Sequence, residues 1–391
     1  MKRRIGVVTG SRADFGLLQW ILRDIDASSD LELLLFVTGA HLSEEFGRTV
    51  DEIRREGFQP IASVPSLAGG DDSLAVARSI ALGVSGLGQA MARDRPDILL
   101  LMADRYEIFA AATAAVALGI PIAHFSGGES TEGLFDDQLR HAISKMSHLH
   151  FPSMDFYRSR LLRMGEQPER VFAVGEPGLD HCRRTQLLER EALSDALGLD
   201  LSKPSALVTF HPVTLELDST AGYVAELLRA LDEEELADLQ LLMTYPGADP
   251  SARVIVGAFE AFATHRPGAV LFKNLGTQRY LSALRHASVM IGNSSSGLVE
   301  APSFGLPVVN VGNRQRGRVR AANVIDVECR SEAIVAGVRR ALEPPFREAL
   351  RGLANPYGDG RTAERVLGAL RSVDLASLRY KPFFDEPDRA K

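Results

Sequence analysis

Cysteine is nearly absent. Cys182 and Cys329 are the only two, far apart in sequence, which excludes a disulfide framework and a cysteine-rich metal site and fits two reduced thiols. Positive charge is not in excess either: a formal net charge of −7 disfavours a nucleic-acid backbone as partner, so any phosphate site has to be built locally from a few arginines. Long apolar runs are missing. The longest, Ile108 to Ala123, is broken by Gly119 and Pro121 and falls short of the roughly 20 residues that span a bilayer. It reads as a buried helix followed by a strand. The opening MKRRIGVVTGSRADFG is basic, but its short apolar run passes straight into a charged turn, unlike a signal peptide. A cytoplasmic protein without membrane contact is therefore expected. There is no short-period repeat, no three-glycine dinucleotide fingerprint and no Walker phosphate loop, so NAD and ATP have no direct support.

What is present is a globular composition, 45% hydrophobic and 24% charged over 391 residues, a length that suits two domains with a cleft between them. Short runs rich in Val, Ile and Leu recur between helical patterns: Arg4–Thr9, Leu31–Thr38, Ile98–Met102, Pro121–Phe125 and Val171–Val174. Continuous apolar strands separated by helices mean a parallel sheet covered on both faces. After the charged stretch 183–201 a second series follows: Ala206–Phe210, Gln240–Thr244, Ala269–Phe272, Val289–Gly292 and Pro307–Val311. The expected boundary falls within 178–204. This gives an N-terminal α/β domain over 1–180, a C-terminal one over 204–365, and a tail over 366–391 whose docking the sequence leaves open. Ligands of such sheets sit beyond the carboxyl ends of the strands.

Four segments at those ends carry candidate chemistry. Thr9-Gly10-Ser11-Arg12-Ala13-Asp14-Phe15-Gly16 is a small-residue turn in which Arg12 either pairs with a diphosphate or makes a surface ion pair with Asp14 or Asp24. The run from Ile291 to Glu300 leaves a strand and opens a helix. Ser294, Ser295, Ser296 and Gly297 supply hydroxyls and amides suited to an anion, beyond what a serine cap requires, and Glu300 lies one turn on, placed to accept ribose hydroxyls. Arg314 is one of three arginines in the next loop. His211 ends a strand beside Pro212, where ligands bind, although a lone histidine is commonly structural.

Asp104-Arg105-Tyr106-Glu107 and the segment from His124 through Glu129 to Asp136-Asp137 bring several carboxylates and a histidine to adjacent strand ends. Paired acids suit general acid–base chemistry on a sugar. The plainer alternative is that Asp136 or Asp137 caps the helix expected over 138–147 and that Asp104 pairs with Arg105. His148 and His150 stand at strand spacing without further nearby ligands and read as packing residues, not as a metal site.

In order along the chain, GSRADFG, TGAHLSEEFG, ADRYE, the GGE to RHAISKMSH segment, HPVT, GNSSSGLVE and GNRQRGR resemble the hydrolysing UDP-N-acetylglucosamine 2-epimerases of sialic-acid and legionaminic-acid biosynthesis. The resemblance runs from Val7 to about Val327 and rests on the order of the motifs more than on any one of them. It implies two Rossmann-like domains in a GT-B-type, glycosyltransferase-like arrangement, with the nucleotide held mainly by the second. It further implies that Arg12, Ser294, Ser295 and Arg314 hold the diphosphate, Glu300 the ribose and His211 the phosphate–sugar junction. Asp104, with Arg105 beside it, and an acid of the 126–137 loop would face the sugar, and His41 would contact it. The implied reaction removes the carbon-2 proton as the anomeric bond breaks, passes through a 2-acetamidoglycal and adds water, releasing a free manno sugar with no metal or cofactor. Homo-dimers or tetramers are the implied assembly.

Two departures stand out. Many members carry a glutamate directly before the paired glycines, where this chain has Ser126, so that acid is absent or supplied by Glu129; and Ala103 stands where glycine is usual. Both leave room for a modified sugar or for GDP in place of UDP. The competing readings are a glycosyltransferase of the same fold, a non-hydrolysing epimerase that returns intact nucleotide-sugar, and a catalytically silent nucleotide-sugar sensor.

Overall fold

A computed structural model describes residues 2–69, 72–130, 135–213, 216–246 and 251–385. The chain divides into two compact units, one running to Asp180 and completed by the chain from Gly360 onward, the other covering His181–Asp359.

The first unit holds a six-stranded sheet of β1 (Arg3–Thr9), β2 (Leu31–Thr38), β3 (Ala62–Val64), β4 (Ile98–Met102), β5 (Ile122–Phe125) and β6 (Leu149–Phe151). The order is β3-β2-β1-β4-β5-β6, with every pairing parallel. Its central strands β1, β2, β4 and β5 are mostly apolar because both faces are buried. In β4, Ile98, Leu100 and Met102 enter one core while Leu99 and Leu101 enter the other, the two-residue period of a strand with two covered faces. Ile108–Ala123 is a helix (Tyr106–Leu118) closed by left-handed Gly119, then β5. The helix Ser73–Arg93 is long and apolar enough to cross a membrane by length and composition. It packs on Tyr106–Leu118 through Gly83, where a Cβ would lie 2.9 Å from that of Ala110.

The second unit repeats the plan with β7 (Ser205–Thr209), β8 (Gln240–Thr244), β9 (Ala269–Phe272), β10 (Val289–Gly292), β11 (Val308–Val311) and β12 (Val324–Val327). Their order is β12-β11-β10-β7-β8-β9, again parallel. Ala206, Val208 and Phe210 face one core and Leu207 the other.

Three edge strands differ from the sequence expectation. Val171–Val174 forms no strand, only a single bridge from Val171 to His150. The sixth strand is Leu149–Phe151, whose buried His150 gives no apolar signal and pairs through Nε2 with Oε2 of Glu166 at 2.8 Å. β3 and β12 were not anticipated; they are three and four residues long and only partly buried, too short for periodicity to register. The returning helix Thr362–Ser372 docks on the first unit, burying Ala363, Val366, Leu367, Ala369 and Leu370 in its core. The Asp180 carboxylate accepts the amides of Thr362 and Ala363 at 2.9 and 3.3 Å and so caps its start.

Candidate active site

In each sheet the chain builds outward on one side of its first strand and then crosses to the other, so the carboxyl ends of β1 and β4, and of β7 and β10, are the two switch points where open α/β sheets bind ligands. The candidate residues of the sequence cluster at these ends.

At the first switch point Asp14 pairs with no arginine among the described residues. Its carboxylate accepts the amides of Gly10 and Ser11 at 2.9 and 2.8 Å and the Ser11 hydroxyl at 2.8 Å, completing a capping box for the helix Arg12–Asp26. Arg12 begins that helix, largely exposed, and its ion pair is with Glu52 at 3.3 Å, not with Asp14 or Asp24. His41 is fully buried. Its ring nitrogens meet the hydroxyls of Thr9 at 2.9 Å and Thr49 at 2.7 Å, and it packs edge-on against Phe15. Burial pushes its pKa down. Buried and held at both ring nitrogens, His41 joins the ends of β1 and β2, and the structure gives it no exposed face for the sugar contact expected of it. Glu107, also buried, receives Arg105 at 3.1 and 3.2 Å and lies against Gly10 and Gly39, where a Cβ would come within 3.2 and 3.0 Å of its side chain. Arg105 is thus committed to Glu107, and Asp104 pairs instead with Arg140, both groups largely buried.

Asp136 is the first residue of the helix Asp136–Met146, which starts two residues earlier than expected. Its N-cap position is Phe135 and carries no side-chain cap, so neither aspartate serves as the N-cap. Asp137 faces His141 at 3.6 Å. Burial raises the Asp136 pKa and the negative charge of Asp104 adds to the rise, which puts the two carboxylates within electrostatic reach of one another. Glu129 lies in a loop that turns through left-handed Ser126 and Gly128, and its carboxylate accepts the Ser153 hydroxyl at 3.2 Å. Thr131 and Glu132 lie outside the described residues.

At the second switch point Asn293 ties three loops together. Its side chain accepts the His211 amide at 2.7 Å and donates to the His211 carbonyl at 2.8 Å; its own carbonyl receives Arg314 at 3.2 Å and Gln315 at 2.8 Å. Gly292 permits this crossing: at φ 138° a Cβ would lie 1.8 Å from the Thr209 carbonyl oxygen. The helix after the serines is a single turn, Ser296–Val299, continued by a 3-10 turn, Ala301–Phe304, so its dipole is small. Ser295 makes no side-chain cap. Among the described residues the amides of Ser294 and Ser295 have no acceptor, which leaves them for an anion. Ser296 is turned inward, accepting Tyr280 at 2.7 Å. Gly297 is buried, and a Cβ there would lie 2.8 Å from Val308, so the position needs glycine for packing against β11. Burial raises the Glu300 pKa, opposed by the Ser296 hydroxyl and, at longer range, by Arg318.

Asn293 and Arg140 hold candidate side chains in place without being candidates themselves, and Glu107, one of the carboxylates of the Asp104–Glu107 segment, holds Arg105. Asn293 carries a sequence signal, as the polar residue between a strand-ending glycine and the serines.

The family model for UDP-N-acetylglucosamine 2-epimerase matches residues 23–371. A UDP-N,N'-diacetylbacillosamine 2-epimerase (hydrolyzing) from Legionella pneumophila is 38% identical over 96% of this chain and 98% of its own. A GDP/UDP-N,N'-diacetylbacillosamine 2-epimerase (hydrolyzing) from Campylobacter jejuni is 37% identical over 98% and 99%. The crystal structure of UDP-GlcNAc 2-epimerase from Neisseria meningitidis bound to UDP-GlcNAc shares the fold, with a TM-score of 0.79 over 95% of this chain and 100% of that one at 16% identity.

Proposed function

The chain belongs to the UDP-N-acetylglucosamine 2-epimerase family, and on that premise we propose that it is a hydrolysing epimerase of nucleotide-linked diacetamido sugars. The relatives that match over nearly the whole chain at 37 and 38% identity bear names of that activity, which favours UDP-N,N'-diacetylbacillosamine over UDP-N-acetylglucosamine as substrate. The observation that carries the chemistry is the unequal pair of aspartates: Asp104 ion-paired to Arg140, and Asp136 biased toward its protonated form by burial and by Asp104.

The carbon-2 proton of the sugar becomes acidic only as the anomeric carbon–oxygen bond breaks and positive charge develops beside it. Asp104, ion-paired to Arg140, removes that proton while the bonding electrons leave with the nucleoside diphosphate. The Ser294 and Ser295 amides and Arg314 stabilise the departing charge, Arg12 adds a further cation, and Glu300 accepts the ribose hydroxyls. The intermediate is a 2-acetamidoglycal. Water adds at carbon 1 and gives up one proton to solvent while Asp136 delivers its proton to carbon 2 from the opposite face, giving the free manno-configured sugar; Asp104 then loses the proton it took and Asp136 regains one from solvent. Asp136 fits this second role better than Glu129, whose carboxylate is engaged with Ser153.

The test incubates the protein in heavy water with UDP-N,N'-diacetylbacillosamine or UDP-N-acetylglucosamine, without acceptor. The expected outcome is free UDP and a manno sugar deuterated at carbon 2, faster from the diacetamido substrate. Recovery of epimerised but intact nucleotide-sugar would mean the non-hydrolysing reaction, and no turnover of either would refute the proposal.

A further inference from the structure

Two neighbouring strands leave the first sheet through residues that are not glycine yet stand in the left-handed region, Ala103 after β4 at φ 63° and Ser126 after β5 at φ 59°. Such conformations are unfavourable for a residue with a Cβ and persist where surrounding contacts impose them. At Ala103 the imposing contact is identifiable. Its carbonyl oxygen accepts a hydrogen bond from Nε2 of His124 at 2.8 Å. His124 lies in β5 and is wholly buried.

We propose that His124 is a positioning residue: by holding the Ala103 carbonyl and the Ser144 hydroxyl at once, it fixes where Asp104 meets Arg140 and Asp136. The inference rests on the function proposed above for those two aspartates. A neutral imidazole has one N–H, so the bond to a carbonyl places the hydrogen on Nε2 and leaves Nδ1 as a bare acceptor. Nδ1 lies 3.3 Å from the Ser144 hydroxyl and shares that hydroxyl's single hydrogen with the carbonyl of Arg140, 3.0 Å away and one turn back in the same helix. Arg140 closes the circuit by pairing with Asp104, the residue that follows Ala103. The ring therefore runs from Ala103 through His124, Ser144 and Arg140 to Asp104, joining the end of β4 to the helix that begins at Asp136. It touches the third segment as well. A Cβ on Gly127 would stand 2.9 Å from the Ser144 hydroxyl and 3.3 Å from Nδ1, so the loop leading to Glu129 is laid directly over this pair. Burial, with the cations of the neighbouring residues, lowers the His124 pKa to about 3, and the imidazole stays neutral at any pH used for assay. It neither donates nor takes a proton in the reaction.

The test compares His124→Leu, His124→Asn and His124→Gln, alone and with Ala103→Gly, by steady-state release of UDP from UDP-N,N'-diacetylbacillosamine and by crystal structures of the variants. Glutamine can return an N–H near the Nε2 position, and asparagine reaches only as far as Nδ1. His124→Leu and His124→Asn should lower kcat by about thirtyfold or more with KM within about twofold, as expected when a reacting group is displaced by a fraction of an ångström. His124→Gln should stay within about fivefold of wild type. Ala103→Gly should restore about tenfold to His124→Asn, because glycine holds φ near 63° without the tether. A histidine that only fills space would give neither rescue. Wild-type kcat in His124→Asn, or no rescue by either route, overturns the proposal; a leucine variant that fails to fold leaves the asparagine–glutamine comparison intact. If the wild-type protein releases no UDP, the functional reading fails, and the crystal structures judge the positioning separately. An Ala103 that leaves the left-handed region with an opened Asp104–Arg140 pair supports it, and an unmoved pair refutes it.

Discussion

Asp104 and Asp136 come from different elements and differ in what surrounds them. Asp104 has a buried guanidinium as partner, whereas Asp136 is pushed toward its protonated form first by burial and then by Asp104 itself. An ion-paired carboxylate beside a carboxyl biased toward its protonated form can divide the roles of base and acid. Asp136→Asn keeps the shape of the site and removes the transferable proton, so it should cut turnover by about a hundredfold or more while leaving UDP affinity unchanged. Glu129→Gln, altering a carboxylate that accepts from Ser153, should cost less than about tenfold. Stopped assays of UDP release and calorimetric titration of UDP check both, and the reverse ranking would transfer the acid role to Glu129. The direction of the Asp136 shift also sets a pH dependence. Its pKa is raised, so the protonated form survives to higher pH than for an ordinary aspartate, and kcat should fall as pH climbs through that raised value. Asp136→Asn should remove this limb from the residual rate.

The loops that carry the candidates are ordered by a few polar clamps, and the clearest is Asn293 at the end of β10. Replacing it with alanine removes the two bonds to the part-buried amide and carbonyl of His211, a loss of about 2 kcal/mol. Asn293→Ala should therefore lower both the melting temperature and the UDP affinity, the latter by about tenfold, as read by calorimetry. At the far end of the Asp136–Met146 helix, Lys381 donates to the last carbonyls, those of Ser144 and Lys145, and shares Glu166 with Lys145 and His150. Burial alone would raise the Glu166 pKa. Its partners override that and bring it down to about 2 from an ordinary 4.5. A depressed carboxyl stabilises the fold above the unfolded value, so this contribution is complete above about pH 4.5 and is lost as pH falls toward 2. Glu166→Gln should cost about 3 kcal/mol at pH 7 by stranding the lysines, and thermal melts of the variant should depend less on pH between 2 and 4.5 than those of wild type. These elements also mark how far the sequence could be read. β1, β2, β4, β5, β7, β8, β10 and β11 announce themselves as runs rich in Val, Ile and Leu because both of their faces are largely buried, and the edge strand β9 shares that composition. The edges β3, β6 and β12 do not: they are short, and in β6 a buried histidine depends on Glu166, sixteen residues away, for the partner that makes its burial tolerable. The same holds at the site. Small residues and carboxylates at strand ends are visible in sequence, but Arg12 meeting Glu52, or Arg140 meeting Asp104, depends on which strands become neighbours.

On the scale of the whole chain, the first unit is discontinuous. Its sheet is complete by Phe151, yet one face of its core is finished only by the helix Thr362–Ser372, supplied after the entire second unit has been made. Val366, Leu367 and Leu370 are buried there with Ala363 and Ala369. Burying three such large side chains contributes on the order of 5 kcal/mol, comparable with the net stability of an ordinary domain, about 5–15 kcal/mol. Polar bonds add to this docking: the Asp180 cap, and Arg371 gripping Asp30 at 2.9 and 3.1 Å. The second unit, by contrast, draws its sheet and both its cores from one continuous stretch. The two should therefore behave differently when cut apart. A fragment of residues 181–359 should fold alone and melt in one cooperative transition. A fragment of residues 1–180 should remain largely unfolded, and a synthetic peptide of residues 360–391 added in trans should recover its cooperative melt and near-ultraviolet circular dichroism. In the intact protein, Leu367→Asp should lower the melting of the first unit while leaving the second transition in place. If 1–180 melts cooperatively without the peptide, the returning helix is an accessory and the first core is sufficient as it stands at Asp180.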